Sequence, residues 1–333
     1  MKSRYKNAFL VFGLVVLAVM VLQLDFAEVW RGLQRAGYWF PAILVLWALL
    51  YLLNTASWLT IIRSQQGDSR NVKFAWLYKL TVSGFALNYA TPGGLMGGEP
   101  YRIMELAPRI GTERASSSVI LYAMTHIFSH LCFWLLSVVF FVALYPVDLP
   151  MAIMLAAVTA GCGLGIWFFL SGYRRGLANR LIALLRHIPL LKSRVGRFVE
   201  THKTQLDAID MQITALHGQR PASFILAVSL ELACRILSAL EIYFILLVLT
   251  PSVSYGACIL ILAFTSLLAN LLFFMPLQLG GREGGFLLST TGLGMTANAA
   301  IFVALLVRLR ELVWTGIGLM LIKVAEGRKN SYK

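Results

Sequence analysis

Residues 92–99 read Pro-Gly-Gly-Leu-Met-Gly-Gly-Glu, and residues 276–283 read Pro-Leu-Gln-Leu-Gly-Gly-Arg-Glu. In both segments a proline is followed seven residues later by a glutamate, and each segment follows an apolar run that contains an asparagine, Asn88 or Asn270. Charge is costly in hydrocarbon, and non-helical backbone there must be shielded by protein or by water in a cavity. Two such interruptions in corresponding positions indicate the binding site of a membrane transporter.

The composition indicates that the lipid bilayer is the solvent of this chain. Of its 333 residues, 59% are hydrophobic and 13% are charged, and long apolar runs extend throughout the sequence. The net charge is +14, but the basic residues lie mostly between the apolar runs, where they set topology and contact anionic lipid. We therefore expect no nucleic-acid partner. The motifs of nucleophile elbows, phosphate-binding loops and dinucleotide folds are absent, so we expect neither an enzyme nor a cofactor.

Six apolar runs are long enough to cross a bilayer: 8–24, 38–62, 116–145, 147–171, 222–250 and 297–323. We interpret the first as a retained anchor because no small-residue cleavage site follows it. Two further runs, 74–91 and 256–275, lead into the glycine-rich segments. The long basic segment 171–221 has leucines at helical spacing, which predicts a cytoplasmic amphipathic helix on the inner leaflet.

The charge of the loops predicts how the chain crosses the membrane. The N-terminus, the loop 63–73 and the segment 171–221 are basic and should all lie in the cytoplasm. Residues 74–115 then enter and leave from the cytoplasm, and residues 256–294 enter from outside. The predicted fold is an all-α, polytopic transmembrane helical bundle with two oppositely oriented re-entrant hairpins, an inverted repeat. It forms a single integral membrane domain over residues 1–333, with both termini cytoplasmic.

A second topology remains open, in which the runs 74–91 and 256–275 cross fully. Each run is long enough to do so by its rise per residue. This alternative gives eight crossings and places the basic segment 171–221 outside the cell, which the asymmetry of loop charge disfavours.

The glycines of the first segment are candidate contacts for a lipid phosphate. Gly93, Gly94, Gly97 and Gly98 permit unusual backbone conformations, and consecutive free amides at a turn bind anions. The alternative is that these glycines only let helices pack closely.

Charged residues accompany both segments. Glu99 and Arg102 share a helical face, and Arg282 adjoins Glu283. A guanidinium binds phosphate through two parallel hydrogen bonds, although each pair could instead neutralise itself and stabilise its own hairpin. Arg308, in the last apolar run, is the favoured additional anion contact. The predicted substrate-binding residues are Gly93, Gly94, Gly97, Gly98, Glu99, Arg102, Arg282, Glu283 and Arg308.

Other ionisable residues lie within apolar runs. Glu231 and Arg235 are four residues apart, and Arg308, Arg310 and Glu311 cluster in the last run. They either form salt bridges between helices or extend a polar cavity. His126 and His130 have the spacing of two metal ligands, but the sequence offers no third, so packing or a proton relay is preferred to a metal site.

Three features of the sequence resemble a known family. They are the pattern Pro-Gly-Gly-x-x-Gly-Gly-Glu-x-x-Arg of residues 92–102, the pattern Pro-x-x-x-Gly-Gly-x-Glu of residues 276–283, and the membrane arginine Arg308. The chain resembles the flippase-like integral membrane family typified by the transmembrane region of lysylphosphatidylglycerol synthase. This resemblance covers nearly the whole chain and implies lipid translocation between leaflets. It does not extend to a soluble aminoacyl transferase domain, which follows this region in the synthase.

We therefore expect a lipid flippase-like protein of the bacterial cytoplasmic (inner) membrane. It would bind an anionic or zwitterionic head group of a phospholipid, aminolipid or polyprenyl-type lipid, with a separate lipid-modifying enzyme as a further partner. The alternative is an integral membrane enzyme or a partner scaffold in lipid-linked sugar or aminolipid synthesis.

Overall fold

The computed structural model describes residues 25–65, 69–90, 97–175, 221–271 and 281–330, together with isolated positions between 11 and 22. Within these residues all regular secondary structure is helical, which confirms the all-α class. The helices are α1 (Phe26–Ala36), α2 (Trp39–Ser64), α3 (Phe74–Ala90), α4 (Gly98–Ile110), α5 (Thr112–Leu144), α6 (Leu149–Arg175), α7 (Pro221–Leu247), α8 (Tyr255–Leu271), α9 (Gly281–Gly292) and α10 (Ala297–Asn330).

Four helices in the described part of the chain are long and apolar enough to cross a membrane. They are Trp39–Ser64, Thr112–Leu144, Leu149–Ser171 and Ala222–Leu247, and they match four of the six predicted crossings. Helix α10 has 34 residues and is also long enough, but it carries Arg308, Arg310 and Glu311 near its middle. The predicted crossing 8–24 lies largely outside the described residues, as does most of the basic segment 171–221.

Two successive groups of four helices have similar lengths. Helices α2 to α5 contain 26, 17, 13 and 33 residues. Helices α7 to α10 contain 27, 17, 12 and 34 residues. In both groups a long helix is followed by a hairpin of two short helices and then by a second long helix.

The first long helices of the two groups, α2 and α7, pack antiparallel along their whole length. Trp39 at the start of α2 stacks on Phe244 near the end of α7, with ring centroids 5.1 Å apart. At the other end of the pair, Ser57 Oγ donates a hydrogen bond to the carbonyl oxygen of Ala227 at 3.1 Å. Because the two helices run in opposite directions, the hairpins that follow them begin at opposite ends of the bundle.

The first hairpin, α3 and α4, returns to the end of the bundle from which it starts. Arg109, near the end of α4, donates a hydrogen bond to the carbonyl oxygen of Asn71 at 2.7 Å, just before α3 begins. At the same end Gln65 donates to Ser117 Oγ at 2.7 Å, which joins the end of α2 to the start of α5. Gly111 has a φ of 89°, a conformation that favours glycine, and this residue reverses the chain between α4 and α5.

The second hairpin, α8 and α9, is held by a close approach between its helices. A Cβ added at Gly285 would lie 3.1 Å from the Thr265 Cα. Thr265 and Ser289 also share a hydrogen bond of 3.2 Å between their hydroxyl groups. After α9, Leu293 packs into the same apolar cluster as Leu260, which lies near the start of α8, so this hairpin also folds back on itself.

Two large apolar clusters occupy different parts of the bundle. The first is built mainly by α2 to α5 and is centred on residues such as Trp58, Leu87 and Leu106. The second is built mainly by α7 to α10 with the start of α2, and is centred on Ile43, Ile245 and Leu306. The polar residues described next lie between these clusters.

Candidate functional site

A cavity of about 240 Å³ lies between the two groups of helices. Four of its walls come from the middle of long helices, represented by Tyr51 of α2, His126 of α5, Cys234 of α7 and Glu311 of α10. The end of α3 supplies the remaining wall, with Phe85, Ala86 and Tyr89. Since a water molecule occupies about 30 Å³ of liquid, the cavity is large enough for a small polar group and several waters.

The α10 side of the cavity is lined by arginine and glutamate. Arg310 is 4% exposed and donates from Nε and one terminal nitrogen to the two carboxylate oxygens of Glu241, at 2.7 and 2.8 Å. Its guanidinium also lies 3.8 Å from the centre of the Trp47 ring. Glu311, the next residue, has an oxygen 3.5 Å from the other terminal nitrogen of Arg310. A bidentate ion pair with an aromatic contact holds this arginine in a fixed orientation.

The opposite side of the cavity is formed by α5 and α7. Nδ1 of His126 lies 2.8 Å from Oε2 of Glu231, a side chain that is 1% exposed. Arg235 donates to Ser129 Oγ at 2.8 Å and to the carbonyl oxygen of His126 at 2.9 Å. The sequence predicted that Glu231 and Arg235 either form salt bridges between helices or extend a polar cavity. Both line the cavity, and both contact α5, where Glu231 pairs with His126 and Arg235 donates to oxygen atoms.

A smaller cavity adjoins the first one, and three of the predicted site residues line it. Arg282 and Glu283 come from the start of α9, and Arg308 comes from α10. Arg308 donates to Glu283 at 2.9 Å, whereas Arg282 pairs with Glu311. The two cavities share Tyr89 and Glu311 in their walls. The second glycine-rich segment is thus joined to the central cavity through charged side chains.

Arg102 and Glu99 lie away from the central cavity, within the first hairpin. Arg102 is 2% exposed, and its guanidinium lies between 4.7 and 5.5 Å from the ring centres of Phe85, Tyr122 and Trp58. It donates to Glu99 at 3.3 Å. This pair therefore lies within α4, and the Phe85 ring beside the Arg102 guanidinium also lines the cavity.

Of the four glycines predicted to bind lipid, the structure describes two. Gly93 and Gly94 lie outside the described residues. Gly97 and Gly98 are buried at the start of α4, and Gly98 donates to Oδ1 of Asn88 at 2.7 Å. A Cβ at Gly98 would lie 2.2 Å from the carbonyl oxygen of Gly84. Gly98 thus serves the close packing of α3 and α4.

Sequence reasoning gave less weight to the residues that the cavity contains. His126, Glu231, Arg235 and Arg310 were recognised as charged or ionisable residues in apolar runs, but they were not included in the predicted site. To infer that these residues face one another, it would have been necessary to know that α5 packs on α7 and that α7 packs on α10. The spacing of residues along a single helix does not show which helices are neighbours.

These features define a multi-pass helical membrane protein with a cavity, lined by charged and apolar side chains, at the middle of four long helices. Residues 8–318 match the family described as the transmembrane region of lysylphosphatidylglycerol synthase, and the chain belongs to that family. The resemblance inferred from the sequence is therefore confirmed, and it links the chain to lipid modification or flipping. The comparison with curated proteins gives no match, and neither does the comparison with solved structures.

Proposed function

We propose that this protein binds the polar head group of an anionic or zwitterionic lipid in the central cavity and moves it between the two leaflets. The acyl or polyprenyl tails would stay in the bilayer, so only the polar part passes through the protein. This avoids the cost of exposing charged groups to hydrocarbon. We favour a transporter over an enzyme because the cavity is lined by fixed ion pairs and aromatic rings at mid-depth.

The observation that carries the proposal is the position of the cavity. Tyr51, His126, Cys234 and Glu311 lie close to the midpoints of α2, α5, α7 and α10, and all of them line it. We infer from this position that the cavity lies near the bilayer centre, where secondary transporters bind their substrates. Ionisable residues at that depth are expensive, and their usual role is to line a pathway for substrate or ions.

The packing of the helices supports an inverted repeat with two re-entrant hairpins. The matching helix lengths of α2–α5 and α7–α10 indicate two related units. The antiparallel packing of α2 and α7 supports opposite directions for these units in the membrane. The contact of Arg109 with Asn71 brings the first hairpin back to its starting side. Such units can alternate by moving against each other around a central site.

Reconstitution into liposomes tests the proposal directly. Phosphatidylglycerol or phosphatidylethanolamine with a fluorescent label on the acyl chain is placed in both leaflets, and dithionite is added outside. Without lipid movement only the outer label is reduced, whereas movement exposes the inner label as well. We expect the protein to increase the reduced fraction for at least one of these lipids.

Matched variants separate the cavity from the rest of the protein. Arg308→Gln and Glu283→Gln each remove one charge beside the central cavity and should slow the movement at least about tenfold, which corresponds to about 1.4 kcal/mol. Glu113→Gln makes the same chemical change at an exposed residue at the start of α5 and should have no effect. If the purified protein chemically converts a lipid, the enzyme alternative replaces this proposal. If it retains lipid without moving any head group, the scaffold alternative replaces it.

A further inference from the structure

The carboxylate of Glu231 is held by a single partner in a buried position. It is 1% exposed, and Oε2 lies 2.8 Å from Nδ1 of His126. Its other oxygen, Oε1, is buried and accepts no hydrogen bond from any described residue, and Glu231 is one of the residues that line the central cavity. Burying a carboxylate oxygen without a hydrogen-bond donor is costly. This oxygen is therefore stabilised when it binds a proton or accepts a hydrogen bond from a group within the cavity.

Arg235 lies one helical turn away on α7 and attracts this carboxylate electrostatically, but its hydrogen bonds go elsewhere. Its guanidinium is turned towards α5, where it donates to Ser129 and to the backbone of His126. Glu231 therefore depends on His126 for its hydrogen bond, and the charge of His126 is itself set by protonation. A carboxyl and an imidazole joined in this way share protons, and the number they hold decides the net charge of this side of the cavity.

The surroundings of the pair contain charge of both signs. The ionisable groups that face it come from every helix around the cavity: Tyr51 of α2, Tyr89 of α3, Arg102 of α4, Tyr122 and His130 of α5, Cys234 and Arg235 of α7, and Arg310 and Glu311 of α10. The arginines among them are committed: Arg310 to Glu241, Arg102 to Glu99 and Arg235 to neutral oxygen acceptors. In the His126–Glu231 pair a proton can therefore be gained or lost without breaking an arginine–carboxylate hydrogen bond.

A second histidine lies beside the pair. The rings of His126 and His130 are perpendicular, with centroids 5.4 Å apart, and Nδ1 of His130 is buried without a hydrogen-bond partner among the described residues. His130 is followed by Trp134, whose ring lies 5.4 Å from it and whose Nε1 donates to Ser266 of α8 at 3.0 Å. Ionisable and polar groups therefore continue from the cavity along α5 towards the second hairpin.

We propose that the His126–Glu231 pair carries the proton that couples lipid movement to a transmembrane proton gradient. This inference rests on the proposed function and adds its energy source. On one side of the membrane the pair takes one proton from water, forming an O–H or N–H bond. On the other side it returns that proton to water, so no other bond changes and no electron is transferred.

The location of the pair links its proton to the conformation of the protein. His126 belongs to the first group of helices and Glu231 to the second, so the bond of 2.8 Å between them crosses the boundary along which the groups would move. Gain or loss of a proton changes the strength of this bond, since a charge-assisted hydrogen bond is roughly twice as strong as a neutral one. Protonation thus biases the equilibrium between the two arrangements of the groups.

The test uses the full chain in liposomes that contain trapped pyranine, a pH-sensitive dye, and either acyl-labelled phosphatidylglycerol or acyl-labelled phosphatidylethanolamine. A one-unit pH gradient is imposed in either direction at constant salt, and head-group movement and internal pH are recorded together. We expect the two gradient directions to change the rate of lipid movement at least about threefold in the parent protein. The ionophore nigericin should abolish this difference.

Variants test whether the response to the pH gradient depends on His126 and Glu231. Glu231→Gln and His126→Gln should move lipid at the same rate in both gradient directions and without proton flux. Glu231→Asp, which keeps a titratable carboxyl, should retain the response, as should the control Glu113→Gln. Monodisperse elution from a size-exclusion column establishes that each variant is folded, and if Glu231→Gln fails this check, His126→Gln and the nigericin experiment decide the question.

The outcomes distinguish the coupling from the transport. Lipid movement that is equally fast in both gradient directions overturns proton coupling and leaves the proposed function intact. A gradient response that survives in both Glu231→Gln and His126→Gln overturns the assignment to this pair. No lipid movement under any condition overturns the proposed function, and the coupling fails with it.

Discussion

The side-chain oxygen of Asn88 accepts a hydrogen bond from the backbone amide of Gly98 at 2.7 Å, which ties the end of α3 to the start of α4. The nitrogen of the same side chain donates to Glu99 at 2.9 Å. One asparagine thereby satisfies a free amide at the start of a helix and fixes the carboxylate beside it. The first hairpin is stabilised at its tip by these two contacts.

Replacement of Gly98 by alanine should destabilise this hairpin. The added Cβ would lie 2.2 Å from the carbonyl oxygen of Gly84 and 2.6 Å from Asn88 Oδ1, so the two helices must separate. Overpacking of this kind costs about 1–3 kcal/mol, and we expect a lower midpoint of thermal unfolding in detergent. Gly284→Ala is the matched control, because a Cβ there meets no atom within 4 Å. Equal midpoints for the two variants would contradict the close packing of α3 and α4.

The pair formed by the buried Arg102 and the partly buried Glu99 should behave as a structural unit. Removal of one partner from a buried ion pair costs about 3–5 kcal/mol, so Arg102→Gln and Glu99→Gln should each lower the thermal midpoint. The double variant should lose less stability than the sum of the single losses, as expected for a coupled pair. Arg102→Lys keeps the charge but loses the planar contact with three aromatic rings, so it should remain less stable than the parent. Additive losses would indicate that the two residues act independently.

Two glutamates pair with arginines of α10, and we expect one to be needed for stability and the other for lipid binding. Glu241 is 4% exposed and holds Arg310 through two hydrogen bonds, so Glu241→Gln should strongly reduce stability. Glu283 is 40% exposed and holds Arg308 through one hydrogen bond, so Glu283→Gln should change the thermal midpoint little. The measurement compares thermal unfolding with the amount of lipid that each purified variant retains, determined by mass spectrometry. Loss of stability in Glu283→Gln with unchanged lipid retention would make this pair structural.

Much of the fold followed from the sequence because the bilayer restricts the backbone to few solutions. Apolar length predicted α2, α5, α6 and α7 within a few residues of their bounds. The apolar runs 74–91 and 256–275 were recognised as leading into the glycine-rich segments, and they correspond to α3 and α8. Both results depend on local composition, which a single sequence contains.

The partners of the charged residues were less predictable. Arg282 and Glu283 are neighbours in the sequence, but each pairs with α10, whereas Glu99 and Arg102 pair within α4 as their spacing suggested. The first outcome depends on how α9 packs on α10, which helical periodicity does not determine. Arg102 was predicted to bind substrate because it belongs to the glycine-rich motif. Its aromatic contacts come from three other helices, and only the folded structure brings these together.

The side of the membrane on which each loop lies is the last prediction, because both hairpins depend on it. The contact of Arg109 with Asn71 requires that the chain before α3 and the chain after α4 lie at the same end of the bundle. Single cysteines are introduced at Glu113, Asp148 and Ser252 in a variant from which Cys132, Cys162, Cys234 and Cys258 have been removed. In intact cells an impermeant maleimide should label the cysteines at 148 and 252, and the cysteine at 113 should react only after the membrane is opened. A cysteine at Asn71, on the cytoplasmic side in either topology, is the control. Labelling of position 113 from outside, with 148 and 252 protected, would establish eight full crossings and exclude the re-entrant hairpins.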